Sequence, residues 1–422
     1  MTPVTTGVAP PPDVADIIDE IRSQLQAEYA RPRVKRDAHP KPHGCVQATF
    51  TIHRNIPNQF NGGVFADVNA GHTFKAWVRF SNAFRFQHDL EFETRGMAVK
   101  LLHVTGNPLP EAEVDVTAAG DEYTQDFLLA THDAFFLPDP ADYVDFLKSV
   151  RSASPQIFAF YGDRWPRLWR GFVALVRSQI NFAWNPLALE YRSQVPYQLG
   201  PTGGSYARVK LWMRPTTPEL RRTAWLRSTT QGFGLTKLGA VKFALLLALA
   251  NAVFFGLEPL TKRGKAWAED FCDRHFANRN LLRVAMARFL AHRDATFELW
   301  VQPYTDDERT PIDDASRPWR PRRTGFPVAT LRIPRQAFWP EAGMTQELAN
   351  ATNRMVALGE NMSFNPWHGL DDHTPLGRIN EVRRWIYRDI SAFRRRENHV
   401  QSDAMPRAQA EEYDELAPIV QF

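Results

Sequence analysis

The chain has 422 residues, 44% hydrophobic and 12% aromatic, which is enough apolar matter for one large domain or two or three average ones. Against 47 acidic residues stand 51 basic ones, and a net charge of +4 does not demand a nucleic-acid partner. Two cysteines, Cys45 and Cys272, exclude a disulfide framework. The opening MTPVTTGVAPPPDVAD lacks a basic segment followed by an apolar core, so no cleaved secretion signal is expected and the reading is cytoplasmic.

In chain order, residues 1–12 are rich in proline and threonine. From Asp13, a candidate N-cap, the apolar residues Val14, Ile17, Ile18, Ile21 and Leu25 predict a helix ending near Tyr29, which packs on the body or on a second subunit. The period then changes to two. Cys45 to His53, Thr73 to Ser81 and Thr94 to Val104 read as strands, as do Tyr206 to Arg214, Ala295 to Pro303 and Pro327 to Pro334 further on. Half-buried strands separated by long helical stretches predict an α+β chain, with one antiparallel barrel or strongly curved sheet and helices outside it.

Helices are expected between Asp139 and Arg192, and again over 216–292. The second region contains the run Phe243 to Leu257, 15 uncharged residues flanked by Lys237, Lys242, Lys262, Arg263 and Lys265. That length falls short of the roughly 20 residues needed to cross a bilayer. It suits a buried core helix or one lying in the membrane surface.

The last predicted helix, Pro375 to Arg396, carries an apolar stripe of Leu376, Ile379, Val382, Ile386, Ile390 and Phe393. A second stripe, Arg383, Tyr387 and Arg394, returns within roughly 40° of itself at about 100° per residue. An arginine one turn before a tyrosine stabilises a phenolate, and a phenolate is a ligand for ferric iron. Near the other end of the chain, Arg36 precedes His39 by three residues in RDAHPKPHGC. Pro40 and Pro42 fix an extended backbone there, which argues against a zinc site built from His39, His43 and Cys45. No phosphate-binding glycine loop, nucleophile elbow or paired-cysteine motif occurs.

Arg36-x-x-His39, WVRFSNA at Trp77 to Ala83, TRGMAVKLL at Thr94 to Leu102, the segment Asp126 to Leu147, PIDDAS at Pro311 to Ser316, FNPWHGLDDHTPLG at Phe364 to Gly377 and Arg383-x-x-x-Tyr387 follow one another in order. In that order they resemble the haem catalases, most closely the short catalase-related haem proteins of bacteria. The resemblance implies a catalase-like antiparallel β-barrel over 31–396, preceded by an arm and helix over 1–30 and followed by a tail over 397–422. A helical, apolar insertion at about 216–279 is unlike the family pattern.

Residue by residue, the resemblance implies haem b as cofactor, with Tyr387 as iron ligand and Arg383 as its partner. It implies His39 as the distal base, Ser81 as the hydroxyl that holds the imidazole, and Arg36, Arg79 and Arg394 as partners of the haem propionates. Tyr143 falls where the family stacks a phenylalanine on the ring. The family's distal asparagine falls at Ala130 or Thr131, and Thr131 is the candidate to hydrogen-bond the bound oxygen.

The expected activity is that of a catalase-like peroxidase acting on peroxide. Two alternatives stand beside it: a fatty-acid hydroperoxide-transforming enzyme of the allene oxide synthase kind, and a membrane-associated haem-binding protein without turnover that touches lipid through Phe243 to Leu257. A homo-oligomer is implied by the resemblance, and no residue decides it.

Overall fold

The computed structural model describes residues 9–83, 89, 93–111, 114–117, 120–151, 154–179, 183, 185–200, 206–220, 279–400 and 405–422. The run Phe243 to Leu257 and most of the expected insertion lie outside these residues. Among the described residues, no helix is long and apolar enough to cross a membrane.

Helix α1 (Pro12–Glu28) starts one residue before the Asp13 cap expected from the sequence. Pro11 occupies the cap position and Asp13 sits in the first turn. A proline at the first helical position has no amide to leave unsatisfied, which makes it a competent start without a side-chain cap.

Strands β1 (Pro42–Ile52), β2 (Thr73–Asn82) and β3 (Arg95–Val104) follow, then the short β4 (Val114–Thr117) and the long β5 (Gly120–Ala130). Helices α2 (Tyr143–Arg151), α3 (Ser154–Asp163) and α4 (Trp169–Gln179) occupy the region read as helical, which ends in the two-residue strand β6 (Tyr191–Arg192). The remaining elements are β7 (Tyr197–Leu199), β8 (Ala207–Pro215), α5 (Leu281–Leu290), β9 (Ala295–Pro303), β10 (Phe326–Ile333), α6 (Gln346–Asn361), α7 (Arg378–Glu397) and α8 (Met405–Val420).

The sheet runs β3-β2-β1-β10-β9-β8-β6-β5, and β5 pairs again with β3, so an antiparallel barrel closes on itself. Closure removes free strand edges and encloses a core. That core includes Phe50, Phe65 and Phe127, whose rings stack at 5.9 and 6.1 Å. Each fully buried phenylalanine contributes about 1.5–3 kcal/mol.

Strand β5 was not expected from the sequence. Its residues Thr124, Gln125 and Asp126 are polar yet fully buried, so no alternation marks it. Asp126 pairs in register with Lys100 of β3, and the two ends form an ion pair of 2.8 Å. The same carboxylate accepts the backbone N–H of Asn365 at 2.9 Å and lies 3.2 Å from His368 Nδ1. A buried charge pair needs such further partners, and here they gather on one oxygen, Oδ2. The consequence is positional, because the loop carrying Ser363 and Phe364 is pinned to the barrel.

Helix α1 covers the body of the chain. Its stripe of Val14, Ile17, Ile18, Ile21 and Leu25 is buried with Leu147 and with Val382, Ile386, Ile390 and Phe393 of α7. This apolar contact fixes the long helix that carries Tyr387. At the other side α8 lies on the barrel, where Tyr413 Oη donates to the Ala48 carbonyl at 2.8 Å and Trp77 Nε1 donates to the Gln409 carbonyl at 3.0 Å.

Candidate active site

Between the barrel, α2 and α7 lies a cavity of about 710 Å³. Eight of the nine residues singled out from the sequence line it: Arg36, His39, Arg79, Ser81, Tyr143, Arg383, Tyr387 and Arg394.

His39 sits on the turn before β1 in the left-handed region, with φ of 62°. That conformation costs a residue with a side chain roughly 1–2 kcal/mol and persists where surroundings over-determine it. Here three contacts do so. The His39 amide donates to the Ala83 carbonyl at 2.8 Å, Arg79 Nη2 donates to the His39 carbonyl at 3.0 Å, and the ring Nδ1 is 3.0 Å from Ser81 Oγ. With Nδ1 held by Ser81, Nε2 is the ring nitrogen left for chemistry. Burial, then the positive charges of Arg79, Arg383 and Arg36, push the imidazole down to about 3. It is therefore neutral near neutral pH and fit to accept a proton.

Gly96 makes the room for that ring. A Cβ at this position would stand 2.3 Å from His39 Cε1 and 2.4 Å from Nδ1. Gly96→Ala is expected to expel the imidazole from its bond to Ser81 and to destabilise the fold by about 1–3 kcal/mol, the usual range for overpacking. Urea denaturation of the variant measures the second effect.

Tyr387 stands on α7, one turn after Arg383. Arg383 Nη2 donates to the phenol oxygen at 3.4 Å, its Nη1 donates to Asn380 Oδ1 at 3.1 Å, and its guanidinium carbon is 5.1 Å from the Tyr387 ring centroid. Burial works against the charge of Arg383, but the neighbouring phenols of Tyr387 and Tyr197 outweigh it and raise its pKa. Tyr143, at the start of α2, stacks on Phe135 with rings 6.4 Å apart and 9° from parallel.

A third wall is cationic. Arg36, Arg79 and Arg394 converge on Glu360 at the end of α6. Arg79 Nη2 reaches Glu360 Oε1 at 3.2 Å, Arg36 Nη1 stands 3.6 Å from the same oxygen, and Arg394 donates to the Glu360 carbonyl. Burial alone would raise the Glu360 carboxyl, yet Arg79, Arg36, Lys35 and Arg394 hold it down at about 2. One carboxylate does not balance three guanidiniums. Burial, then Arg79 and Arg394, push Arg36 well below its ordinary pKa, while Arg36 Nη1 and Arg79 Nε have no hydrogen-bond partner among the described residues. Such a wall fits a ligand that brings carboxylates of its own.

Thr131 is the exception. Its hydroxyl accepts the Arg95 amide at 3.0 Å and its own amide donates to the Arg95 carbonyl at 2.9 Å. The structure places Ala130, not Thr131, on the cavity wall, because β5 ends at Ala130, paired with Gly96 of β3. Of the two positions open to the distal asparagine, Thr131 is thus not among the residues that line the cavity. The distal wall has a methyl group there and no amide.

Sequence reasoning missed Glu360, Gly96 and Asp37. A glycine inside a strand of buried residues marks a close approach, so TRGMAV contained the signal for Gly96. Glu360 has none, since an acidic residue at the end of an amphipathic helix reads as solvent-facing. Asp37 lies on the cavity wall, and burial, followed by the nearby Glu28, pushes its carboxyl up to about 6.

Comparison with solved structures gives the fold. A fungal catalase superimposes with a TM-score of 0.57 at 13% identity, covering 91% of this chain and 63% of that one. Catalase A from Saccharomyces cerevisiae gives 0.52 at 14%, with 88% and 63% covered. A bacterial catalase gives 0.55 at 14%, with 96% and 65% covered. The chain has the catalase fold and spans less than two thirds of the length of these proteins. No protein-family model matches it, and no curated protein matches it in sequence.

Proposed function

We propose that this chain is a haem-dependent oxidoreductase that metabolises peroxides. One observation carries the reading: a single cavity joins a neutral imidazole, a phenol beside a guanidinium, and a wall of three arginines in excess of their carboxylate. The donor set fits haem b. Tyr387 would hold the iron, and Arg36, Arg79 and Arg394 would take the propionates, including through Arg79 Nε, which has no hydrogen-bond partner among the described residues. When bound, haem would supply a redox-active iron, and Tyr387 the anionic oxygen that holds it.

The chain's own residues then do the proton work. His39 Nε2 takes the proton from one peroxide oxygen and returns it to the other, so that water or an alcohol leaves. Ser81 keeps the ring turned for both transfers. A second peroxide, oxidised to dioxygen, or an organic donor would supply the two electrons and two protons that release the remaining oxygen as water.

An ultraviolet-visible spectrum of protein purified with haem supplied, compared with Tyr387→Phe, tests the reading. A Soret band with the ferric-phenolate charge-transfer pattern, lost or altered in the variant, is expected. Absence of haem uptake by the wild type removes it.

The distal wall favours a second substrate class within the same chemistry. Ala130 offers no hydrogen bond to orient hydrogen peroxide, and Leu128, Leu129, Phe135, Phe136 and Phe146 make the adjoining walls apolar. Lipid hydroperoxides suit such a surface. Turnover of linoleate hydroperoxide beside hydrogen peroxide separates the two substrates, and inertness to the lipid discards the second reading.

A further inference from the structure

We propose that the corner between α3 and α4, together with an arginine-lined cavity beside it, docks on an anionic phospholipid membrane. The inference goes beyond the proposed chemistry and does not require it.

Trp165 and Trp169 are 56% and 44% exposed, and their rings pack 4.4 Å apart at 63°. Among the described residues they are the exposed large apolar side chains that stand together, since Val68, Tyr206 and Phe422 belong to other segments. The backbone between them is fixed. Leu168 is fully buried and clusters with Phe146, Phe160 and Tyr161. Tyr161 Oη donates to the Phe136 carbonyl at 2.9 Å, and a Cβ at Gly171 would stand 2.3 Å from that same oxygen, so the corner is held against the wall of the main cavity. With Leu168 turned inward, the indoles on either side of it face out. An indole combines a large apolar face with an N–H, and the headgroup zone of a bilayer accommodates both.

Charge supplies the complement. Beside Trp169 lies a second cavity of about 290 Å³, lined by Arg170, Arg177, Arg309, Arg317, Arg320 and Arg322 and by one acidic residue, Glu308. Arg322 pairs with Asp133 at 2.8 Å, and Arg170 and Arg309 stand 3.7 and 4.0 Å from Asp314 and Asp306. Arg317 donates to the Glu308 carbonyl, a main-chain group, and Arg177, Arg317 and Arg320 form no ion pair among the described residues. By contrast Arg164 and Arg167, within the corner itself, are neutralised by Asp142 and Asp145. The excess positive charge therefore gathers on the cavity side of Trp169. A soluble anion would need the arginines alone. Exposed indoles next to them select a surface that offers anionic heads and acyl chains together.

This face abuts the candidate active site. Helix α4 gives Trp169, Arg170 and Val173 to the second cavity, and its Ala174 lines both cavities. A membrane docked here lies against the helix that walls the site, which would bring a source of lipid hydroperoxides beside it.

The test is co-sedimentation of the full chain with vesicles of phosphatidylcholine alone and of phosphatidylcholine mixed with phosphatidylserine. The wild type is expected to bind the mixed vesicles and not the neutral ones, and added salt should release it. Trp165→Ala with Trp169→Ala, and separately Arg177→Gln with Arg320→Gln, should each weaken binding about tenfold. Val68→Ser, at an exposed apolar position elsewhere, should leave it unchanged. No binding by the wild type overturns the proposal. Equal binding by the wild type and both double variants also overturns it, and moves the contact to another part of the chain such as Phe243 to Leu257. A wild-type dimer that becomes monomeric in the tryptophan variant, with no vesicle binding by either, assigns the indoles to a second copy instead. None of these readouts uses turnover, so this proposal and the haem reading fail separately.

Discussion

His39→Ala is expected to lower peroxide turnover about 10³-fold while haem stays bound, because a positioned acid–base group contributes roughly 10² to 10⁴. Neither Ala130 nor Ser81, among the described residues that line the cavity, replaces the imidazole. Ala130 offers no polar atom, and Ser81 is already engaged with the imidazole. Ser81→Ala leaves the base in place and releases only its orientation, so its effect should be smaller, about tenfold.

The pH profile adds a second reading of the same residue. With its conjugate acid at about 3, His39 stays neutral well into the acid range, so it contributes no limb to turnover between pH 5 and 8. Imidazole supplied in the buffer should restore part of the activity of His39→Ala. A variant that kept full turnover with haem bound would deny His39 any part in proton transfer.

Those parts of the candidate site that lie on regular elements were legible in the sequence as sharing one face. Tyr387, Arg383 and Arg394 share an edge of α7 because a helix repeats every 3.6 residues, and they line one cavity as that spacing requires. Arg79 and Ser81, two apart on β2, face the cavity together for the corresponding reason in a strand. The arms that close the barrel were legible where β-branched and aromatic residues alternate. Strand β5 was not, because Lys100 on its neighbour lets it bury Asp126, and a pair of charges compensates only in three dimensions. Thr131 stands just past a strand end, where one residue decides which way a side chain turns, and it bonds to Arg95. Glu360 belongs to a contact among four segments far apart in sequence, and no local pattern announces such a contact.

Glu360→Gln should destabilise the haem-free protein by about 3 kcal/mol, and haem should recover most of that loss. The carboxylate is held at about 2 against an ordinary value of 4.5, and one pKa unit corresponds to about 1.36 kcal/mol. The side chain is 26% exposed, so solvent screens part of the attraction and about 3 kcal/mol is an upper figure. A carboxyl whose pKa is depressed in the folded state stabilises it fully above the unfolded value. That contribution is lost as pH falls from about 4.5 toward about 2.

His39, His43 and His373, each pushed by burial to about 3 from 6.5, also weaken the fold as pH falls, from about 6.5 downward. The two effects share a sign, and the variant separates them. Acid unfolding of Glu360→Gln should retain the histidine part above pH 4.5 and lack the increment below it. Propionates placed among Arg36, Arg79 and Arg394 would supply the missing negative charge, so the haem-dependent gain in stability should be larger in Glu360→Gln than in the wild type. Urea denaturation of both proteins, with and without haem, measures all four states. An equal gain in the two proteins would mean that the three arginines do not meet the cofactor's carboxylates.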